Sequence, residues 1–142
     1  MSLNFCSTQT FRQSVERLCK RRSDNNHSCE KDISKHLKDL SFNDIFEMKM
    51  RLKDLGEIRV LKIRIPNSHQ NLSSSNGWRL IVCCHKKYEC IALLNIYPKR
   101  GKGSQLDQSP EETKNQLREY LANRTDNTLV EYKLFELDEL PD

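Results

Sequence analysis

The chain has 142 residues, 36% of them hydrophobic and 31% charged, with a formal charge of +4. A chain of this length suits one domain that buries its core without a metal or disulfide staple, and no run of about 18 apolar residues is present to cross a membrane as a helix. The N-terminal stretch MSLNFCSTQTFRQ has neither a basic start followed by an apolar block nor a small-residue cleavage site, so a cytoplasmic location is expected, with the six cysteines as thiols.

Residues 3–6, LNFC, suit a short strand, after which Phe11, Val15, Leu18 and Cys19 recur at helical spacing. The polar, basic stretch KRRSDNN reads as a connection to a second amphipathic helix carrying Ile33, Leu37 and Leu40, with Ser28 placed to cap it. A further turn or two of helix follows Ser41 through FNDIFEM, and Gly56 breaks the pattern.

The period then changes to two. In EIRVLKIRIP, Leu61, Ile63 and Ile65 point to one side and Val60, Lys62 and Arg64 to the other. The segment from Asn67 to Gly77, NSHQNLSSSNG, reads as a long, mobile polar loop. WRLIVCC and CIALLNIY follow as strands whose near-continuous apolar character places them in the middle of a sheet. A final helix opens on Ser109 as N-cap, Pro110 at its first position, and Glu111 and Glu112 at the positive end of its dipole. The order β-α-α-β-β-β-α, with Val130, Tyr132 and Leu134 adding an optional C-terminal strand, predicts a small α+β domain. Helices are expected on one face of a central antiparallel sheet, leaving the other open to a ligand. Residues 1–128 form the domain and 129–142 an acidic extension.

The motif CCHKKYEC, residues 83–90, invites a metal reading. With Lys86 and Lys87 at a two-residue turn, Cys83 faces Cys90, whereas Cys84 points away and His85 sits at the rim. A tetrahedral zinc site needs a knuckle and a second converging pair of ligands, and no C-x-x-C occurs. Buried thiols acting as small hydrophobes are expected instead, with no metal and no cofactor. Phosphate-loop, G-x-S-x-G and H-E-x-x-H motifs are also missing.

Charge carries the functional signal. Residues 129–142 hold a net −4, so residues 1–128 hold +8, and between Lys49 and Lys102 twelve Lys or Arg face only Asp54, Glu57 and Glu89. Such a field suits a polyanion or an acidic protein segment. Lys53, Arg59, Lys99 and Lys102 are candidate contacts for such a polyanion, nucleic acid most simply. LKIRI at 61–65, NGWRLIV at 76–82 and NIYPKRGKG at 95–103 bring Lys62, Arg64, Arg79, Lys99 and Arg100 toward one side of the sheet.

In order and spacing these segments, with SPEE at 109–112, resemble the RelE/HigB branch of the RelE/ParE superfamily of type II toxins. In that family a K-I-K-L-like strand is followed by G-Y-R-L-V, then by an apolar strand closing on a basic signature. The resemblance covers about residues 52–122 and extends more loosely to the N-terminal strand and helices. It implies a ribosome-dependent mRNA endonuclease that blocks translation and is neutralised by a cognate antitoxin, with ribosome and mRNA as partners and no membrane. The implied chemistry is metal-free: the ribose 2′-OH attacks the adjacent phosphate, which requires a base, positive charge for the phosphorane and an acid for the leaving oxygen. By the match, Lys62 is the candidate base, Arg64 and Arg79 bind phosphate, and Arg100 stabilises phosphate or supports the leaving group. The family tyrosine that follows the terminal basic pair is missing from GKGSQLDQ, and Tyr97 precedes the pair. The acidic extension either adds an edge strand or folds back over the basic face. Alternative readings are a non-catalytic binding module of the same fold and a gyrase-inhibiting ParE-like toxin.

Overall fold

In the computed structural model, which describes residues 3–19, 28–68, 71–99 and 107–134, the elements run β1 (Asn4–Ser7), α1 (Gln9–Cys19), α2 (Ser28–Leu37), α3 (Phe42–Phe46), β2 (Arg51–Asp54), β3 (Ile58–Ile65), β4 (Trp78–His85), β5 (Cys90–Pro98), α4 (Pro110–Asp126) and β6 (Val130–Glu131). The protein is α+β, with one six-stranded sheet ordered β2-β3-β4-β5-β1-β6. Its pairs are antiparallel except β1 with β5, which is parallel. The acidic C-terminal segment contributes β6 at the edge, beside β1, and residues 135–142 lie outside the described residues. Among the described residues no helix is long and apolar enough to cross a membrane.

Alternation along β3 sets up two cores. Leu61, Ile63 and Ile65 join Trp78, Leu80, Val82 and Cys84 on the side covered by Phe11, Val15 and Leu18 of α1, Ile33 and Leu37 of α2, and Ile45 and Phe46 of α3. Val60, Ile81, Cys83, Ala92 and Leu94 pack on the other side against Leu117 and Tyr120 of α4. The expectation of one open face is therefore corrected. β4 is apolar toward both sides, and burying such side chains contributes roughly 1.5–3 kcal/mol each, so each face takes a helical layer. The CCHKKYEC thiols divide in the same way, with Cys83 and Cys84 fully buried in opposite cores and burial pushing both pKa values up.

The β4–β5 register also differs from the expected one. A two-residue hairpin turn needs positive φ at its central residues, which Lys86 and Lys87 do not favour. The chain instead forms a single 3-10 turn over Lys86–Tyr88 and uses only Glu89 at positive φ, 46°. His85 consequently pairs with Cys90 and Cys83 with Ala92. An irregularity at Ile81/Val82 adds one more residue on β5, so Arg79 faces Tyr97 rather than Leu94. β2 is a further difference. Its exposed, charged residues carry no apolar alternation, and it pairs with β3 as an edge strand.

The loop expected to be mobile is tied down at both ends. Asp32 of α2 accepts from the Ser68 backbone N–H and from the Trp78 indole N–H, each at 3.0 Å. Asn67 and Leu72 form a bridge, and a Cβ on Gly77 would stand 2.2 Å from the Ile65 carbonyl oxygen. Only glycine permits that approach. α4 opens as its sequence predicts, with a capping box between Ser109 and Glu112 and Pro110 in the first turn.

Gly77→Ala is expected to lower unfolding stability by more than about 2 kcal/mol, because backbone must move to admit the methyl group. Ser109→Ala, which removes one cap, is expected to cost about 1 kcal/mol. Urea denaturation of both variants checks this ranking. A Gly77→Ala protein as stable as the wild type would contradict the close approach of the loop to β3.

Candidate nucleic-acid interface

Lys62 and Arg64 leave β3 on the α4 side, where Arg64 pairs across the ladder with Arg79 of β4 and Arg79 with Tyr97 of β5. These residues gather where β3 and β5 end and β4 begins, since Ile65, Trp78 and Pro98 are in register. Lys99 follows directly, its backbone N–H donating to the Gly77 carbonyl at 2.9 Å. Four of the predicted site residues, Lys62, Arg64, Arg79 and Lys99, thus share one corner of the sheet.

Their environments differ. Arg79 is 3% exposed. Its Nη1 donates to the carbonyls of Ser74 at 3.0 Å and Trp78 at 3.3 Å, and its Nη2 donates to that of Ser75 at 2.7 Å. Burial, followed by the like charge of Arg64, pulls the Arg79 pKa below its usual value. The guanidinium expected to contact phosphate is occupied holding the loop. Arg64 is exposed.

Lys62 and Lys99 converge on a residue that sequence reasoning missed. Each Nζ lies 3.3 Å from the same carboxylate oxygen, Oδ1 of Asp107. The Lys62 side chain is 12% exposed, so its stem is packed while its ammonium meets the rim. The two ammonium groups, Lys99 first and Lys62 second, hold the Asp107 carboxyl below its ordinary range. With the folded pKa depressed, the contact is fully formed above the usual aspartate value and is lost only as pH falls through the lower folded value.

A buried polar chain sets the position of Asp107. Ser14 Oγ of α1 donates to Asn95 Oδ1 at 2.9 Å, and Asn95 Nδ2 donates to Gln108 Oε1 at 3.2 Å. Gln108 Nε2 donates to Thr113 Oγ1 at 2.9 Å, and its backbone N–H donates to the Tyr97 hydroxyl at 3.2 Å. Gln108 is thereby joined to both helical layers and to β5, and its neighbour Asp107 is presented to the lysines. Burial raises the Tyr97 pKa, which keeps the hydroxyl protonated at neutral pH.

Arg59 and Lys53 lie away from this corner. Arg59 pairs with Cys84 and so belongs to the α3 side, opposite Lys62. Its guanidinium stacks 4.1 Å from the Phe46 ring centroid and bonds the Phe46 carbonyl, Glu47 and Asp54. Expected as an RNA contact, Arg59 is engaged in packing and ion pairs on that side. Lys53 is exposed on edge strand β2. Arg100 and Lys102 lie outside the described residues. Among the described residues, no group of three or more His, Cys, Asp or Glu side chains is arranged to hold a metal ion.

The corner can hold an anionic oxygen between two ammonium groups, with Arg64 beside it and a buried guanidinium behind. No protein-family model matches the chain, and no curated protein sequence matches it.

Asp107→Asn is expected to tighten binding of a short single-stranded RNA several-fold at low salt, by releasing Lys62 and Lys99 without removing either. Fluorescence anisotropy reads the effect. Weaker binding by Asp107→Asn would mean that the carboxylate organises the lysines for the ligand rather than competing with it.

Proposed function

We propose that the protein is a RelE-like type II toxin that binds mRNA on the ribosome and cleaves it at this corner, and that a cognate antitoxin silences it. The observation that carries the reading is the shared Asp107 oxygen between Lys62 and Lys99, a place already built for an anion. An RNA phosphate oxygen takes that place when substrate binds, with Arg64 on its exposed side. Lys62 serves as the base that takes the ribose 2′-OH proton, the 2′ oxygen attacks phosphorus, the bond to the 5′ oxygen breaks, and that oxygen leaves with a proton from water. Arg64 and Lys99 meet the charge that develops on the phosphorane, and Arg79 adds to the field from its buried position. Arg100 keeps the role that the family resemblance implies, supporting phosphate or leaving group. The products are a 2′,3′-cyclic phosphate and a free 5′-OH, with no metal or cofactor in the scheme. An acidic or amphipathic antitoxin segment competes for the same cations.

A binding-only reading has one specific observation in its favour. The Arg79 Nη atoms are engaged by loop carbonyls, which leaves fewer free arginines for the transition state. Controlled expression of the wild type beside Lys62→Ala and Arg64→Ala, with mapping of mRNA 5′ ends, separates the two. Wild type is expected to arrest growth and produce ribosome-dependent cuts, reduced at least about a hundredfold in Lys62→Ala. Equal arrest by all three without cuts would exclude cleavage and favour binding alone. Full growth of cells expressing wild type would contradict the toxin reading itself.

A further inference from the structure

The opposite end of β5 carries a second cluster that the RNA reading does not use. β1 runs parallel to β5 with Asn4 opposite Cys90 and Cys6 opposite Ala92, so Cys6 and Cys90 are diagonal neighbours. Both belong to the α4 side, and their Sγ atoms are 3.0 Å apart. A disulfide requires about 2.05 Å, so the sulfurs need to close by only about 1 Å. Cys90 is partly exposed and, with Cys6, lines a cavity of about 630 Å³.

Arg124 of α4 also lines this cavity, and two tyrosines fix its position. Its Nε and Nη2 donate to the Tyr120 hydroxyl at 3.3 and 3.0 Å, and its guanidinium stacks 4.2 Å from the Tyr88 ring centroid. The Tyr120 hydroxyl lies 2.8 Å from His85 Nδ1. The Cys6 thiol first, and Arg124 second among side-chain groups, favour the Cys90 thiolate and hold its pKa below the usual thiol value. Cys83, fully buried on the neighbouring strand, moves the other way because desolvation dominates.

We propose that Cys6 and Cys90 form a redox site, a dithiol that hydroperoxides convert to a reversible intramolecular disulfide tying β1 to β5. The Cys90 thiolate attacks one peroxide oxygen, an S–O bond forms, the O–O bond breaks, and hydroxide or alkoxide leaves. Cys6 then gives up its proton and attacks the sulfenic sulfur; the S–S bond forms and the S–O bond breaks to release water. Two electrons pass from the two thiols to the peroxide, and a thiol reductant returns them. Arg124 supports the attacking thiolate as a positioning residue.

The test uses the full chain and hydrogen peroxide added in small increments, followed by intact mass, peptide mapping and thermal unfolding. Wild type is expected to lose two hydrogens, to yield a linked Cys6–Cys90 peptide, to melt several degrees higher, and to revert with dithiothreitol. Cys6→Ser is expected to leave a sulfenic acid on Cys90 that a dimedone probe traps, and Arg124→Gln to slow oxidation several-fold at neutral pH. Because the wild-type peptide map is itself a readout, the test survives a variant that fails to fold. Consumption of peroxide without the linked peptide, or modification of Cys83 or Cys29 ahead of Cys90, would overturn the proposal.

Discussion

A guanidinium in the central strand of a sheet has to be met by oxygen, and Arg79 imposes that requirement on everything around it. Its donors outnumber what strand pairing can satisfy, so the chain between β3 and β4 turns back and presents the Ser74 and Ser75 carbonyls. That return brings the backbone at Gly77 against Ile65 so closely that no side chain fits between them. Asp32 closes the other side by holding both the loop and the Trp78 indole. The Gly77 carbonyl then receives the Lys99 N–H, so the same fold of the loop fixes where β5 delivers its terminal lysine.

From that arrangement follows a division between buried and available charge. Arg79 is committed to the loop, whereas Arg64 faces solvent and Lys62 and Lys99 share a single exposed carboxylate. An ion pair with an exposed partner contributes little to stability, so Asp107 can be displaced at small cost. The polar chain through Ser14, Asn95, Gln108 and Thr113 anchors the residue next to Asp107. The thiol pair occupies the other end of β5, where a cation from α4 faces a sulfur instead of a carboxylate. One strand therefore joins two chemically separate ends of the molecule.

Local rules made much of this visible in the amino-acid sequence. The alternation of Leu61, Lys62, Ile63 and Arg64 assigns faces from the backbone period alone, and Ser109 with Pro110 and Glu112 starts α4 through contacts within a few residues. What depends on distant residues was not visible. The four-residue turn at Lys86–Glu89 and the extra residue near Leu94 together move Tyr97 opposite Arg79, and neither leaves a periodic trace. Asp107 sits in a polar stretch with no pattern of its own, and only tertiary contacts of its neighbour Gln108 bring it to the lysines. Cys6 and Cys90 are 84 residues apart, and the parallel pairing of β1 with β5 is what makes them neighbours. Arg59 shows the converse limit: a basic residue amid basic residues belongs to the opposite face because the strand alternates.

The central claim is that Lys62, Arg64 and Lys99 contact phosphate together. The salt dependence of binding to a short single-stranded RNA tests it most directly, comparing wild type with a protein carrying alanine at all three positions. If the three cations each neutralise a phosphate, the slope of log affinity against log salt becomes shallower by about 2 in the triple variant. A triple variant that keeps both the wild-type slope and the wild-type affinity would contradict the claim.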